Sequence, residues 1–250
     1  MRDVLGTRAL FGVLGPSTNT IVQPEFEALR PHGVTNHYSR IFTPNAKAVS
    51  NATFLAGARA IAEGVDDAVK SVLTCEPDYL VMGMSAVTFF GGAEGADAYR
   101  NGVSEMAGGM GVSTGALSCI AALEAYGGCK NLAFVSPYFP AMNAEVARFF
   151  ADHGYNTVRD RALECPSWVD IARVPEATLR DVVCNQLDGD DVDAIIQVGT
   201  NLCMAKYAEE AERWLGKPVI AINTATYWHA LRASNIDDKV YGFGRLLEEF

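Results

Sequence analysis

Asp78-Tyr-Leu-Val-Met-Gly-Met-Ser-Ala-Val-Thr-Phe-Phe-Gly-Gly92 is the stretch whose reading decides the fold. It begins as a short apolar run and ends in small residues, hydroxyls and glycines. A run of this length followed by Gly reads as a buried parallel strand emerging into a loop. In open α/β sheets ligands bind just beyond the carboxyl ends of the strands, so Gly83, Ser85 and Thr88 fall where chemistry is expected. Ala194-Ile-Ile-Gln-Val-Gly-Thr-Asn-Leu-Cys203 has the same form. Two matching strand-to-loop elements imply a duplicated α/β fold with one site between its halves.

Working outward, Ala9 to Gly15 reads as a first strand, with Pro16-Ser-Thr-Asn-Thr20 as its exit loop and a short helix from Gln23 to Arg30. Asn36 to Ile41 reads as a second strand. Ala52 to Leu73 carries apolar residues at helical spacing and is expected to form one long amphipathic helix. The glycines at 91–95 open a helix toward Met106, and Ser113 or Thr114 is placed to cap a helix ending at Gly127. The pattern then repeats: strand 131–136, helix 141–153, strand 155–159, helix 176–187, strand 194–198, helix 207–215 and strand 219–222. Asn223 or Thr224 is expected to cap a last helix carrying His229. Strands alternating with helices mean parallel sheets. The expected division is a first lobe of 1–112 plus 222–250 and a second of 113–221.

At 250 residues, half of them apolar, the chain reads as an ordinary globular enzyme. A formal net charge of −10 argues against nucleic acid and anionic membrane surfaces as partners. No apolar run reaches the roughly 18 residues of a membrane span, and Met1 to Gly6 has no signal-peptide pattern. Six scattered cysteines without a C-x-x-C pair suit a reducing, cytoplasmic compartment. The four histidines show no metal-ligand spacing, and neither a dinucleotide fingerprint nor a P-loop is present, so no metal or cofactor is expected.

What remains is a set of small neutral donors at four strand ends: Ser17, Thr18 and Asn19; Ser85 and Thr88; Ser136 and Tyr138; Thr200 and Asn201. Singly, each suits the cap of the helix that follows. Together, facing one cleft, they would hold carboxylate oxygens without any cation.

Several motifs give a resemblance. Pro16-Ser-Thr-Asn-Thr20, Met82-Gly-Met-Ser85 with Phe89, Phe90 and Gly92, Pro137-Tyr138 with Asn143-Ala-Glu145 and Phe149, Leu215-Gly-Lys-Pro-Val219, Tyr227-Trp228 and Tyr241-Gly-Phe-Gly-Arg-Leu246 together resemble the arylmalonate decarboxylase and maleate cis-trans isomerase branch of the aspartate/glutamate racemase superfamily. The resemblance covers nearly the whole chain. It implies two pseudo-symmetric lobes of parallel sheet flanked by helices, with the site at their interface, and makes Tyr138 a ligand of a substrate carboxylate. Racemases and isomerases of this superfamily use a cysteine at each paired strand end, and decarboxylases keep the second. Here those positions fall on Gly83 and Gly199, while Cys203 lies four residues further on.

A glycine transfers no proton, so two-base racemisation loses its warrant. The leading expectation is a cofactor-independent lyase of decarboxylase type acting on a small malonate- or maleate-type acid. Tyr138, Ser85 and Cys203 are its candidate catalytic residues. Pro16, Asn19, Gly83, Met84, Thr88, Gly199, Thr200 and Asn201 are the candidate substrate contacts, with Val87, Phe89 and Phe90 as an apolar wall. The alternatives are an isomerase or racemase working through Cys203, or a binding protein that keeps the pocket without the chemistry. Self-association into a homo-oligomer stays open.

Overall fold

Ala9–Pro16 (β1) is buried at seven of its eight positions, so it needs cover on both faces, which is the condition of a central parallel strand. In this computed structural model, which describes residues 3–250, β1 pairs in parallel with Val34–Ile41 (β2) on one side and Tyr79–Met82 (β3) on the other. Val112–Ser113 (β4) completes a sheet of order β2-β1-β3-β4. Asn131–Ser136 (β5), Asn156–Ala162 (β6), Ala194–Gln197 (β7) and Val219–Ala221 (β8) form a second parallel sheet of order β6-β5-β7-β8. The second order is the first shifted by four strands, which is the duplication read from the two matching strand ends.

The helices follow from local chemistry. Val22–Leu29 (α1) buries Val22, Phe26 and Leu29. Asn51–Glu63 (α2) starts on a reciprocal cap between Ser50 and Thr53. Val65–Leu73 (α3) follows, so the single helix expected over Ala52–Leu73 is in fact two. The break is Gly64, whose N–H turns back onto the carbonyls of Ile61 and Ala62 and whose Cα packs tightly on the end of β2. Gly92–Met106 (α4), Gly115–Tyr126 (α5) and Pro140–Asp152 (α6) come next, the last with proline at its first position, where no amide hydrogen is needed. Glu176–Asp181 (α7) widens into a π-turn over Val182–Leu187 instead of continuing as an α-helix. Ala205–Leu215 (α8) ends at Gly216 in the left-handed region, as a C-terminal glycine should. Ile222–Ala233 (α9) and Arg245–Glu249 (α10) close the chain. Asn223 and Thr224 sit inside the first turn of α9, and Ala221 takes the cap position.

Helix α9 lies on β3, β4 and α1 of the first sheet, and α5 lies on α9. Tyr227 of α9 is fully buried between Phe11 and Phe26, with ring centroids 5.7 and 5.1 Å away, and its hydroxyl donates to Asn36. A second aromatic group crosses between the halves. Phe89, in the 3-10 turn Ala86–Phe89 after β3, meets Phe149 of α6 edge-on at 5.2 Å. Fully burying each such ring is worth about 1.5–3 kcal/mol.

Carboxylates also cross between the halves. Glu145 and Asp152 of α6 accept from the backbone N–H groups of Gly91 and Ala93 at the start of α4. Glu25 of α1 accepts from Ala205 N at the start of α8. Each half thus supplies acids to the N-terminal turn of a helix in the other, where the helix dipole favours negative charge.

Two glycines of α4 make opposite predictions. A Cβ at Gly95 would lie 2.0 Å from the Phe90 carbonyl oxygen, whereas one at Gly102 would meet nothing within 4 Å. Denaturant unfolding should show Gly95→Ala destabilised by about 2 kcal/mol or more and Gly102→Ala stabilised by about 0.5–1 kcal/mol.

Candidate active site

The exit loops of β1, β3, β5 and β7 meet around one cavity of about 460 Å³, its mouth included. The loop after β1 brings Pro16, Thr18 and Asn19, and the loop after β3 brings Met84, Ser85, Ala86 and Val87. The loop after β5 brings Pro137 and Tyr138, and that after β7 brings Gly199, Thr200 and Asn201. Ala58 and Ile61 of α2 and Trp168 and Ile171 of the segment after β6 supply the remaining wall.

Hydrogen bonds knit these loops across the two halves. The Ser85 and Tyr138 hydroxyls are 2.7 Å apart, and Ser85 Oγ also accepts from the backbone N–H of Thr200 at 3.2 Å. Asn19 Nδ2 donates to Thr200 Oγ1 at 3.1 Å, while Asn19 Oδ1 takes the N–H groups of Ile21 and Val22, so one amide caps α1 and reaches the site. Asn201 is a brace: its oxygen accepts from Thr20 N and its nitrogen donates to the Trp168 carbonyl. Ser136 holds Tyr138 in place by accepting from its N–H at 3.1 Å and donating to Asn143.

The lining contains no Lys, Arg, His, Asp, Glu or Cys. Tyr138 is its one ionisable side chain. Burial pushes its phenol well above the ordinary tyrosine value, outweighing the Ser85 hydrogen bond that acts the other way. Tyr138 is therefore a hydrogen donor throughout the neutral range. The cavity offers neutral donors on one side and an apolar wall on the other, an arrangement able to hold an anionic oxygen in a low-dielectric setting.

Of the eleven candidate catalytic and substrate-contact residues, eight line this cavity: Pro16, Asn19, Met84, Ser85, Tyr138, Gly199, Thr200 and Asn201. Three do not. Gly83 sits just beneath, where a Cβ would press on Val22 and the Leu14 carbonyl. Thr88 is buried behind Ser85, donating to its carbonyl at 2.7 Å and accepting from Ala116 N at 3.3 Å, so it acts on the site only through that turn. Cys203 lies in a separate surface hollow with Glu25, Glu176 and Lys206. The turn closed by Leu202 N on the Gly199 carbonyl carries the chain away from the cavity before the thiol is reached. Desolvation and the neighbouring Glu25 and Glu176 push that thiol up to about 11.

The apolar wall also differs from expectation. Val87 lines the cavity, but Phe89 packs into the aromatic group between the halves and Phe90 is outside the lining. Ala58 and Ile61 read in the sequence as ordinary core positions of an amphipathic helix. Trp168 and Ile171 come from an irregular segment with no periodicity to flag them. His229 is half-buried between Ser113 and Ser118, whose hydroxyls lie 3.2 and 3.1 Å from Nδ1, and its partial burial lowers its pKa. Among the described residues no three His, Cys, Asp or Glu side chains gather as metal ligands, and no helix is long and apolar enough to cross a membrane.

A sequence profile of the family described as arylmalonate decarboxylase matches residues 47–247. Over 249 residues the chain is 28% identical to a maleate isomerase of Pseudomonas putida, covering 94% of this chain and 96% of that protein. It is 30% identical over 140 residues to an arylmalonate decarboxylase of Bordetella bronchiseptica, covering 55% and 57%. Among solved structures, a Nocardia farcinica maleate cis-trans isomerase mutant with a covalently bound succinylcysteine intermediate matches with a TM-score of 0.85 at 24% identity, over 96% of this chain and 98% of that one. This last likeness concerns the fold: two four-stranded parallel sheets flanked by helices.

Gly199 permits the close packing of two site loops. Its φ is +127°, and a Cβ there would lie 2.4 Å from Pro137 Cδ. Gly199→Ala should lower stability by about 2 kcal/mol or more in thermal or denaturant unfolding, from backbone strain and the clash together.

Proposed function

The chain belongs to the arylmalonate decarboxylase family, and within that family we propose that it is a cofactor-independent lyase acting on a small malonate-type acid through an enediolate held by neutral donors. The observation that carries this reading is the lining itself: hydroxyl and amide donors converge opposite an apolar wall, with no cation, thiol or carboxylate among them. One substrate carboxylate takes hydrogen bonds from Thr200, the second Nδ2 hydrogen of Asn19 and the hydroxyl of the Ser85–Tyr138 pair that does not donate to the other. The other carboxylate faces Val87, Ile61 and Ile171, where desolvation disfavours its charge.

The C–C bond to that second carboxylate breaks, carbon dioxide leaves, and the electron pair enters the enediolate. Each donor already aimed at the developing charge is worth about 3 kcal/mol at the transition state. The α-carbon then takes a proton, for which the Tyr138 hydroxyl is the nearest source within the lining. Water restores the phenol afterwards through the open mouth.

A second reading is favoured by the whole-chain match to a maleate isomerase. In it a four-carbon unsaturated diacid is the substrate and Cys203 the nucleophile. The separate hollow that holds Cys203 counts against it.

The test is turnover of substituted malonates and of maleate in deuterated water, following carbon dioxide release and label at the α-carbon. No product and no exchange with any of these acids would overturn the proposal. Tyr138→Phe should lower kcat by about 10²–10³-fold, while Cys203→Ala stays within about twofold of wild type. Because Tyr138 is raised and stays protonated, kcat/KM should be level from about pH 7 to pH 9.5, with no rise through the thiol range near pH 8.5.

A further inference from the structure

Against the Thr200 loop of the cavity, a buried amide joins two groups that the chemistry above does not use. Asn223, in the first turn of α9, donates from Nδ2 both to Glu25 Oε2 at 2.6 Å and to the Thr200 carbonyl at 2.9 Å. The other oxygen of Glu25 accepts from Ala205 N at 3.1 Å, at the start of α8. Asn223 Oδ1 is buried without a hydrogen-bond partner, so two acceptors fix the orientation of this amide while its own acceptor goes unused.

We propose that Glu25 is a positioning residue for the acid-binding cluster, acting through Asn223 to hold Thr200 in the backbone conformation that aims its N–H at Ser85. The inference deepens the function proposed above and rests on it for its catalytic consequence. The β1 exit loop and α1 together grip Thr200 at two points: Asn19 of the loop at the hydroxyl, and Glu25 of the helix, by way of Asn223, at the carbonyl. The N–H of the same residue, in the preceding peptide, donates to Ser85 Oγ, which pairs with Tyr138. With its carbonyl and hydroxyl held, Thr200 keeps the φ and ψ that present this N–H; releasing the carbonyl would let the backbone turn the N–H off Ser85 and leave that hydroxyl free to take another orientation.

The pseudo-symmetric counterpart makes the role specific. Glu25 and Glu145 both stand nine residues beyond the ends of β1 and β5, at Pro16 and Ser136. Both accept from the N-terminal turn of a helix in the other half. Only Glu25 is also bonded to an amide that touches a site loop; Glu145 is tied to Gly91 at the surface.

Desolvation raises the Glu25 carboxyl above the ordinary glutamate range, against the hydrogen bonds from Asn223 and Ala205. The titratable and charged groups facing it are Cys203, Lys206 and Tyr207 from the α8 side and Glu176 at the start of α7. As pH falls through the raised value, Glu25 takes a proton and can no longer accept from both partners. Activity should therefore fall on the acid side. Stability runs the other way: the folded state binds this proton more tightly than the unfolded chain does, so this group's contribution is present at low pH and is lost as pH rises through the folded value.

Glu25→Gln separates these effects, because whichever way the introduced carboxamide turns, its NH₂ meets either the Ala205 N–H or the Asn223 amide. Turning Asn223 over instead would set its oxygen against the Thr200 carbonyl. Amide hydrogen exchange by NMR at neutral pH should show Thr200 N–H exchanging at least tenfold faster in Glu25→Gln than in wild type or in Glu145→Gln, with all three proteins folded. On an acid that wild type turns over, Glu25→Gln should lose at least tenfold in kcat and lose the acid limb of the pH profile. Thr200 exchange at the wild-type rate, or an acid limb that survives in Glu25→Gln, would overturn the proposal. Should Glu25→Gln fail to fold, wild-type Thr200 exchange that does not quicken as pH is lowered, after correction for the intrinsic rate, would overturn it equally. A wild type that turns over no acid, with Thr200 exchange behaving as expected, would count against the proposed reaction and leave the positioning role standing.

Discussion

Thr200 is the residue on which both halves of the molecule close. Its N–H, its carbonyl and its hydroxyl are each engaged, by Ser85, Asn223 and Asn19. Two of these three partners come from the other sheet: Asn19 and Ser85 leave strands of the first sheet, while Asn223 follows β8 of the second and opens the helix that packs on the first. A buried peptide group must find partners or carry a penalty of the order of a lost hydrogen bond. The polar seam therefore fixes how the two sheets face each other, and the same seam is the wall of the cavity. Architecture and site are one set of hydrogen bonds.

Much of this was legible in the residues alone. Runs such as Leu80-Val-Met82 and Ile195-Ile196, each followed by small polar residues, identify doubly covered strands and place the site at their carboxyl ends. Hydroxyls and amides recurring at four such ends pointed to one shared cleft, and six of those nine residues line the cavity. Other features left no trace in a linear reading. Trp168 and Ile171 stand in an irregular segment whose course depends on an antiparallel bridge between Lys47 and Ser167, a contact made far apart in sequence. The break at Gly64 comes from close packing against the end of β2, which helical periodicity does not encode. Cys203 shows the limit most directly: four residues after a strand end is near in sequence, but one tight turn at Leu202 sends it to another face.

Glycine at 199 is compatible with this packing for a steric reason. The loops after β5 and β7 approach so closely that a methyl group would collide with Pro137, and the backbone adopts a dihedral that side chains rarely tolerate. At Gly83 the constraint is milder, a tight fit over Val22 and the Leu14 carbonyl. The two halves share a strand order and a glycine at these paired positions, but the side chains they bring to the cavity differ. Its ionisable phenol comes from the second half, and the serine that meets it from the first.

The carboxylates exchanged between halves make the coupling of the two sheets reciprocal. Glu145 and Asp152 serve the start of a helix in the first half, and Glu25 serves one in the second. Either half without the other would lose the partners of both its own acids and one of its helix termini, so neither is complete alone.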